Sequence, residues 1–179
     1  MPPINNYKRN SCDYTLPSGW GGYMYAVDDN GERMRCGHPF ERFSAVDIIG
    51  IDKFNKIYRD QFNVYAAHLP EDIAQSILSS WVPLTLRDII WIMEERHYLY
   101  KGSALVKLFN DYRDERTGGI RNCVCYDCTE QFDIDIERDE KTCPKCGSSH
   151  IKTVRELVGM TCPQCKAGTI VELETGVIT

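Results

Sequence analysis

The chain contains 179 residues, of which 42% are hydrophobic and 26% are charged, a composition typical of a globular protein with one medium or two small cores. No apolar segment approaches the roughly 18 residues that span a bilayer, and residues 1–10 lack the apolar core of a signal peptide. We therefore expect a cytoplasmic protein with no membrane partner. The formal net charge of −5 lies mostly in the C-terminal third, which argues against a basic surface that binds nucleic acid.

Residues 1–43 are predicted to be a β-hairpin segment, with the hairpin itself over residues 12–38. A strand-like run over residues 23–27 precedes the sequence DDNG at residues 28–31, which is a strong turn signal, and residues 32–36 return. This hairpin would bring Cys36 towards Cys12. Trp20 and the glycines around it are interpreted as a turn packed over the hairpin.

Residues 44–118 are predicted to form a helical domain. Ser44 with Asp47, and Thr85 with Asp88, have the spacing of a capping box at a helix start. Basic and acidic side chains balance on the last helix, which favours a packing domain over a helix-turn-helix that reads DNA. Helices are predicted after Asp52 and over residues 70–81, 86–97 and 103–116.

Two Cys-x2-Cys pairs follow, with fourteen residues between them. Four sulfur atoms from two such pairs can converge on one tetrahedral metal ion. Between the pairs, apolar residues at 132, 134 and 136 alternate with acidic residues at 133, 135 and 137, which predicts a half-buried strand. The predicted metal ligands are Cys125, Cys128, Cys143 and Cys146.

This stretch resembles the zinc-ribbon family, most closely at residues 143–149, which read CPKCGSS. The resemblance extends over residues 120–157. It implies a small three-stranded antiparallel sheet with Zn²⁺ at one end, held by the four cysteines. Thr129 stands where such ribbons often carry glycine, which predicts a strained or differently turned backbone at the first pair.

A third Cys-x2-Cys pair, Cys162 and Cys165, precedes a β-rich tail. This pair could share a metal ion with Cys143 and Cys146, since the intervening fifteen residues are a permissible spacing. The strand and turn between the first two pairs favour the assignment of those two pairs to one site. The third pair then requires ligands from elsewhere in the chain.

The remaining cysteines suggest those ligands. Of the nine cysteines in the chain, Cys12 and Cys36 lie far from the other seven. We predict that they complete a second Zn²⁺ site with the third pair, which would tie the two ends of the chain together. His38 is an alternative to either of them, because imidazole is also a good zinc ligand. Cys123 is left as a spare thiol.

These observations predict an α+β protein with an N-terminal β-hairpin over residues 1–43, a helical domain over 44–118 and a zinc-ribbon region of small antiparallel sheets over 119–179. Two closed sites predict two structural Zn²⁺ ions, and no arrangement justifies naming a catalytic residue. We expect a non-enzymatic protein-interaction or adaptor module with a protein partner. Two alternatives stay open: a nucleic-acid-associated zinc ribbon, and a redox protein similar to rubredoxin, with iron at the CPKCG knuckle.

Overall fold

The computed structural model describes residues 5–9, 12–38 and 40–174 of the chain. It confirms the α+β class. None of the helices in these ranges combines the length and the apolar character needed to cross a membrane. The helices are α1 (Glu41–Ile49), α2 (Ile51–Ala66), α3 (Glu71–Ser79), α4 (Leu86–Met93) and α5 (Ala104–Arg116). The strands are β1 (Asn5–Arg9), β2 (Gly22–Val27), β3 (Arg33–Arg35), β4 (Thr117–Cys125), β5 (Gln131–Ile134), β6 (Ile151–Thr153) and β7 (Ile170–Glu174).

The chain divides into two compact units. Unit 1 comprises Met1–Met24 and Gly119–Thr179, and unit 2 comprises Tyr25–Gly118. Unit 1 is therefore built from the two ends of the sequence, and unit 2 is a continuous segment between them. The N-terminal segment over residues 1–43, predicted as one element, contributes residues to both units.

Strand β4 organises the first sheet of unit 1. It pairs antiparallel with β5 on one side and with β6 on the other, so that Cys123 lies opposite both Phe132 and Thr153. These three strands belong to a five-stranded sheet that also contains β2 and β3. Strand β4 leads directly into Cys125, its last residue. Gly22 passes so close to this strand that a Cβ atom there would lie 2.0 Å from the Ile120 carbonyl oxygen.

A second, two-stranded sheet in unit 1 joins the two ends of the sequence. Strand β1 pairs antiparallel with β7, with Tyr7 opposite Glu172 and Arg9 opposite Ile170. The sequence indicated a β-rich tail but not its partner. The core beneath these strands consists of Tyr7, Leu16, Val124, Val154, Leu157 and Ile170.

The predicted hairpin begins in unit 1 at Gly22 and continues into unit 2. Strands β2 and β3 pair antiparallel, with Tyr25 opposite Arg35. In the turn, the Asp28 carboxylate accepts hydrogen bonds of 2.9 Å from the backbone N–H groups of Asn30 and Glu32. These bonds satisfy backbone donors that the turn would otherwise leave without partners, so the prediction from the DDNG sequence is confirmed.

The helices of unit 2 pack around Phe54, which is fully buried. Its ring meets the rings of Phe109 and Tyr112 edge-on, with both centroid distances 5.4 Å. Edge-to-face pairs of this kind contribute about 0.5–1.5 kcal/mol each beyond the burial of their area. Aromatic residues at helical spacing in α2 and α5 thus account for much of this core.

One predicted capping box is confirmed and the other is wrong. At α4, Thr85 Oγ1 accepts from Asp88 N at 3.3 Å, and Asp88 Oδ2 accepts from Thr85 N at 2.9 Å. Helix α1 instead begins at Glu41, so Ser44 lies inside it, and its hydroxyl accepts a 3.0 Å bond from Gly37 N. Helix α4 also ends at Met93, four residues before the predicted end, residue 97.

The predicted strand between the first two cysteine pairs is shorter than the alternation indicated. Strand β5 ends at Ile134, and the next residue, Asp135, is only 1% exposed rather than on a solvated face. Its carboxylate accepts a 3.0 Å hydrogen bond from Glu137 N, and its carbonyl accepts from Asp139 N at 2.8 Å. Asp135 therefore starts the turn that leads to the second pair.

Candidate metal centres

The first centre consists of Cys125, Cys128, Cys143 and Cys146, whose Sγ atoms all lie within 4.8 Å of one another. The Sγ–Sγ distance is 3.6 Å between Cys125 and Cys146, and 3.6 Å between Cys128 and Cys143. Zn–S bonds of about 2.3 Å in a tetrahedron separate the sulfur atoms by about 3.8 Å. The four thiols thus have the spacing of a site that could hold a metal ion.

The same backbone turn closes each pair of the first centre. In the first pair, Thr129 N donates to Cys125 O at 2.9 Å, and in the second pair, Gly147 N donates to Cys143 O at 2.9 Å. A second bond then closes each loop from the other direction. These return bonds run from Cys125 N to Glu130 O at 2.9 Å and from Cys143 N to Ser148 O at 2.8 Å.

The residue after each pair adopts a left-handed conformation, with φ of 63° at Thr129 and 70° at Gly147. Glycine adopts this conformation freely, whereas a β-branched residue pays about 1–2 kcal/mol. The Thr129 hydroxyl donates a 2.7 Å hydrogen bond to Cys128 O. Of the two outcomes predicted for Thr129, the structure shows the strained backbone and not a different turn.

Backbone N–H groups point at the sulfur atoms of the first centre. Burial favours a protonated Cys143, but the N–H groups of Cys146 and Lys145 and the neighbouring thiols lower the pKa of Cys143 to about 7. At Cys128, the Glu130 N–H favours the thiolate, but burial and the other three cysteines outweigh it and raise the pKa to about 12. A divalent cation that binds the four sulfur atoms would displace the protons that they carry.

Polar side chains around the first centre also connect its two cysteine pairs. Lys145 Nζ lies 2.9 Å from Glu130 Oε2. Asp127 accepts from Ser148 Oγ at 2.5 Å, and its carboxylate lies 3.3 Å from His150 Nδ1. Because these groups are exposed, each contact contributes about 0–1 kcal/mol. Their main effect is to orient one cysteine pair against the other.

The second centre consists of Cys12, Cys162 and Cys165, whose Sγ atoms lie within 4.8 Å of one another. Cys12 Sγ lies 3.7 Å from Cys162 Sγ. The third pair forms the same turn as the first two, because Lys166 N donates to Cys162 O at 3.0 Å and Lys166 has a left-handed φ of 54°. These three predicted ligands therefore converge on a second site that could hold a metal ion.

The turn of the third pair docks onto the first pair. Tyr126, which lies between Cys125 and Cys128, donates its hydroxyl to Thr161 O at 2.9 Å. In return, Lys166 Nζ donates to Tyr126 O at 3.1 Å and lies 4.6 Å from the centre of the Tyr126 ring. Tyr126 thus links the two centres of unit 1.

Cys36 and His38 lie in unit 2. Burial first, and then the Glu41 carboxylate, raise the pKa of Cys36 to about 11, although a hydrogen bond with the Ser44 side chain opposes this shift. His38 Nδ1 lies 3.1 Å from Glu41 Oε1. Neither residue belongs to a metal-compatible group found among the described side chains. Their role as ligands stays a prediction.

Cys123, predicted as a spare thiol, is 1% exposed in the middle of β4. Burial, followed by the nearby Glu156 and Asp133 carboxylates, raises the pKa of Cys123 to about 11. A thiol with a raised pKa is a poor nucleophile at neutral pH. Cys123 therefore behaves as a small buried side chain.

Sequence reasoning missed the residues that shape the second centre. The left-handed Lys166 and the pairing of β1 with β7 have no local signature in the sequence. A comparison of the chain with protein families, with curated proteins and with solved structures finds no match.

Proposed function

We propose that this protein is a non-enzymatic zinc protein of the zinc-ribbon type, with a structural Zn²⁺ at the first centre and another Zn²⁺ at the second. The four sulfur atoms of the first centre, with their 3.6 Å separations, carry this proposal. Four thiolates fill a tetrahedral ion, and a filled ion has no position for a substrate or an activated water. Soft thiolate ligands favour zinc over magnesium or calcium.

The small core of unit 1 supports a structural role for the metal. Its buried cluster consists of Tyr7, Leu16, Val124, Val154, Leu157 and Ile170. Strands β1, β5, β6 and β7 of this unit are only three to five residues long. Small cores of this kind usually need a disulfide or a metal ion for stability. Structural zinc contributes about 10–16 kcal/mol of binding free energy in small domains.

Metal analysis and NMR of the full chain test this role together. Native mass spectrometry should find zinc in the purified protein. Chelation should remove the chemical-shift dispersion of the amide resonances of β4, β5 and β6, while the amide resonances of α2 and α5 should stay dispersed. Cys128→Ser should have the same effect and Cys123→Ala should not. Resonances of β4 that stay dispersed after complete zinc removal would contradict the structural role, and iron in the native protein would favour the redox alternative.

An apolar groove in unit 2 supports the proposed role as an interaction module. The groove has a volume of about 520 Å³. It is lined by four residues of α2, by Leu99 and Tyr100, and by residues 103–105, none of them charged. Its exposed lining residues include Tyr65 at 62% and Leu99 at 63%. Contiguous exposed apolar side chains of this kind typically mark protein interfaces. We propose that the groove accepts apolar side chains of a partner protein.

Cross-linking in an extract of the native cells tests this surface. A specific partner should give cross-links that map to the groove, and Tyr65→Ser with Leu99→Ser should remove them. The matched control is Val82→Ser, because Val82 is 70% exposed and does not line the groove. Cross-links that persist in the double variant would place the interface elsewhere, and cross-links between two copies would identify self-association.

A further inference from the structure

The third cysteine pair has the backbone of a metal knuckle. Its closing hydrogen bond, from Lys166 N to Cys162 O, measures 3.0 Å, compared with 2.9 Å in each of the other two pairs. Its return bond, from Cys162 N to Gly168 O, also measures 3.0 Å. The left-handed residue after the pair is a lysine, which adopts that conformation at a cost. The turn is therefore held in place by the surrounding structure.

The chain segments before and after Cys12 hold it next to this knuckle. Before it, β1 pairs with β7, ending with Arg9 opposite Ile170. After it, Leu16 is 8% exposed in the core of unit 1, and Gln131 Nε2 donates to Thr15 O at 2.7 Å. Two fixed points thus flank Cys12, and its sulfur lies where the third ligand of a metal ion would be.

The second centre differs from the first in its number of ligands. Among the described side chains of unit 1, no fourth Cys, His, Asp or Glu lies within 4.8 Å of all three sulfur atoms. The residues outside the described ranges include no cysteine and no histidine. Zinc sites with three protein ligands typically hold an exchangeable fourth ligand, whereas four-ligand sites are closed.

From this difference we propose that the second centre is a three-thiolate zinc site whose fourth position exchanges with solution and binds an added thiol. The inference rests on the proposed second zinc ion. On binding, the thiol releases its proton to solvent, its sulfur bonds to the zinc, and a water molecule leaves, so no oxidant or reductant is consumed. The first centre, with all four positions filled, does not react in this way.

Cobalt substitution of the full chain tests the proposal, because the visible bands of Co²⁺ report its ligands. We expect two Co²⁺ ions per chain and a change in the bands when 2-mercaptoethanol is added. Cys12→Ser should lose one Co²⁺ and the response to thiol, while the bands of the first centre remain. Cys36→Ala should match the wild-type protein in cobalt count and in thiol response.

Three results would overturn the inference, and each is distinguishable from the others. Two bound Co²⁺ ions without any response to thiol would show a closed second centre, and a response that appears only in Cys36→Ala would identify Cys36 as its fourth ligand. A single Co²⁺ that persists unchanged in Cys12→Ser would show that the second centre does not bind a metal ion. The structural role of the first centre would survive all of these results.

Discussion

The Sγ atoms of Cys12 and Cys162 lie 3.7 Å apart, although 150 positions separate the two residues in the chain. The pairing of β1 with β7 accounts for this proximity, because it fixes the segment before Cys12 beside the segment that follows the third cysteine pair. Tyr7 anchors β1, since its side chain is 8% exposed in the core of unit 1. The second centre therefore depends on a hydrophobic contact as well as on its own sulfur atoms.

Tyr7→Ala should weaken zinc binding at the second centre more than at the first. Loss of a large buried aromatic side chain costs about 3 kcal/mol or more, and here it releases the strand that carries Cys12. A titration with a competing chelator should show the weaker zinc ion leaving at a lower chelator concentration. Val171→Ala, on the exposed side of β7 at 42% exposure, is the matched control. Equal weakening of both ions would refute this dependence.

Gly147→Ala should destabilise unit 1 by about 1 kcal/mol, because an alanine at φ 70° is strained. No atom lies within 4 Å of the position that the new Cβ would take, so steric contact does not contribute. Gly119→Ala is the control, since its Cβ also meets open space and a substitution in an open position typically changes stability by less than about 0.5 kcal/mol. Urea unfolding at saturating zinc measures the free energy of unfolding of both variants. Equal losses of stability in the two variants would contradict the conformational explanation.

Asp135→Ala should destabilise unit 1 by about 1–3 kcal/mol, because it leaves the backbone N–H of Glu137 without its acceptor. Asp135→Asn keeps an oxygen at that position and should lose less. Glu137→Ala changes an exposed side chain in the same turn and should have little effect. The free energy of unfolding at saturating zinc ranks the three variants, and a loss in Asp135→Ala no larger than in Glu137→Ala would contradict the assigned role.

The capping box of α4 should make unit 2 less stable in acid. Hydrogen bonds from the Thr85 side chain, and then from its backbone, hold the pKa of Asp88 below its ordinary value of 3.8. The stabilisation is therefore fully present above that value and is lost as pH falls through the lower pKa of the folded state. Because Asp88 is largely solvated, we expect about 0.5–1 kcal/mol at neutral pH.

Thermal unfolding of the wild-type protein and of Asp88→Asn, compared at several pH values, measures this contribution. The difference between them should be largest near neutral pH and should shrink below about pH 4. Asp47→Asn is the control, because the structure contradicts the capping box predicted at Ser44 and Asp47. A difference that does not change with pH would show that the carboxylate charge contributes nothing.

Local signals in the sequence identified much of the structure. The DDNG turn, the Thr85 cap and the spacing within each cysteine pair depend on residues a few positions apart, so their geometry can be inferred from chain stereochemistry. The first centre was found for the same reason, since the turn that closes each pair lies within six residues of its first cysteine. Only the position of one cysteine pair relative to the other could not be inferred in this way, because it depends on the sheet.

Three features were missed or predicted wrongly. Ser44 has the spacing of a cap, but the helix begins earlier, so its hydroxyl bonds to Gly37 instead. Asp135 fits an exposed strand position, yet the strand ends before it and the turn buries its carboxylate. The partner of β7 lies at the other end of the chain, and no periodicity connects the two strands.

The construction of unit 1 from both ends of the sequence has a consequence for synthesis. On the ribosome, unit 2 is complete once Gly118 has emerged, so it can fold while β7, the partner of β1, is still untranslated. Cys12 must wait until Cys162 has left the exit tunnel, and closing a loop of 150 positions costs on the order of 4–5 kcal/mol in chain entropy. Metal capture at the second centre would therefore be a late event in biosynthesis, and a chain truncated before β7 would retain the first centre but lack the second.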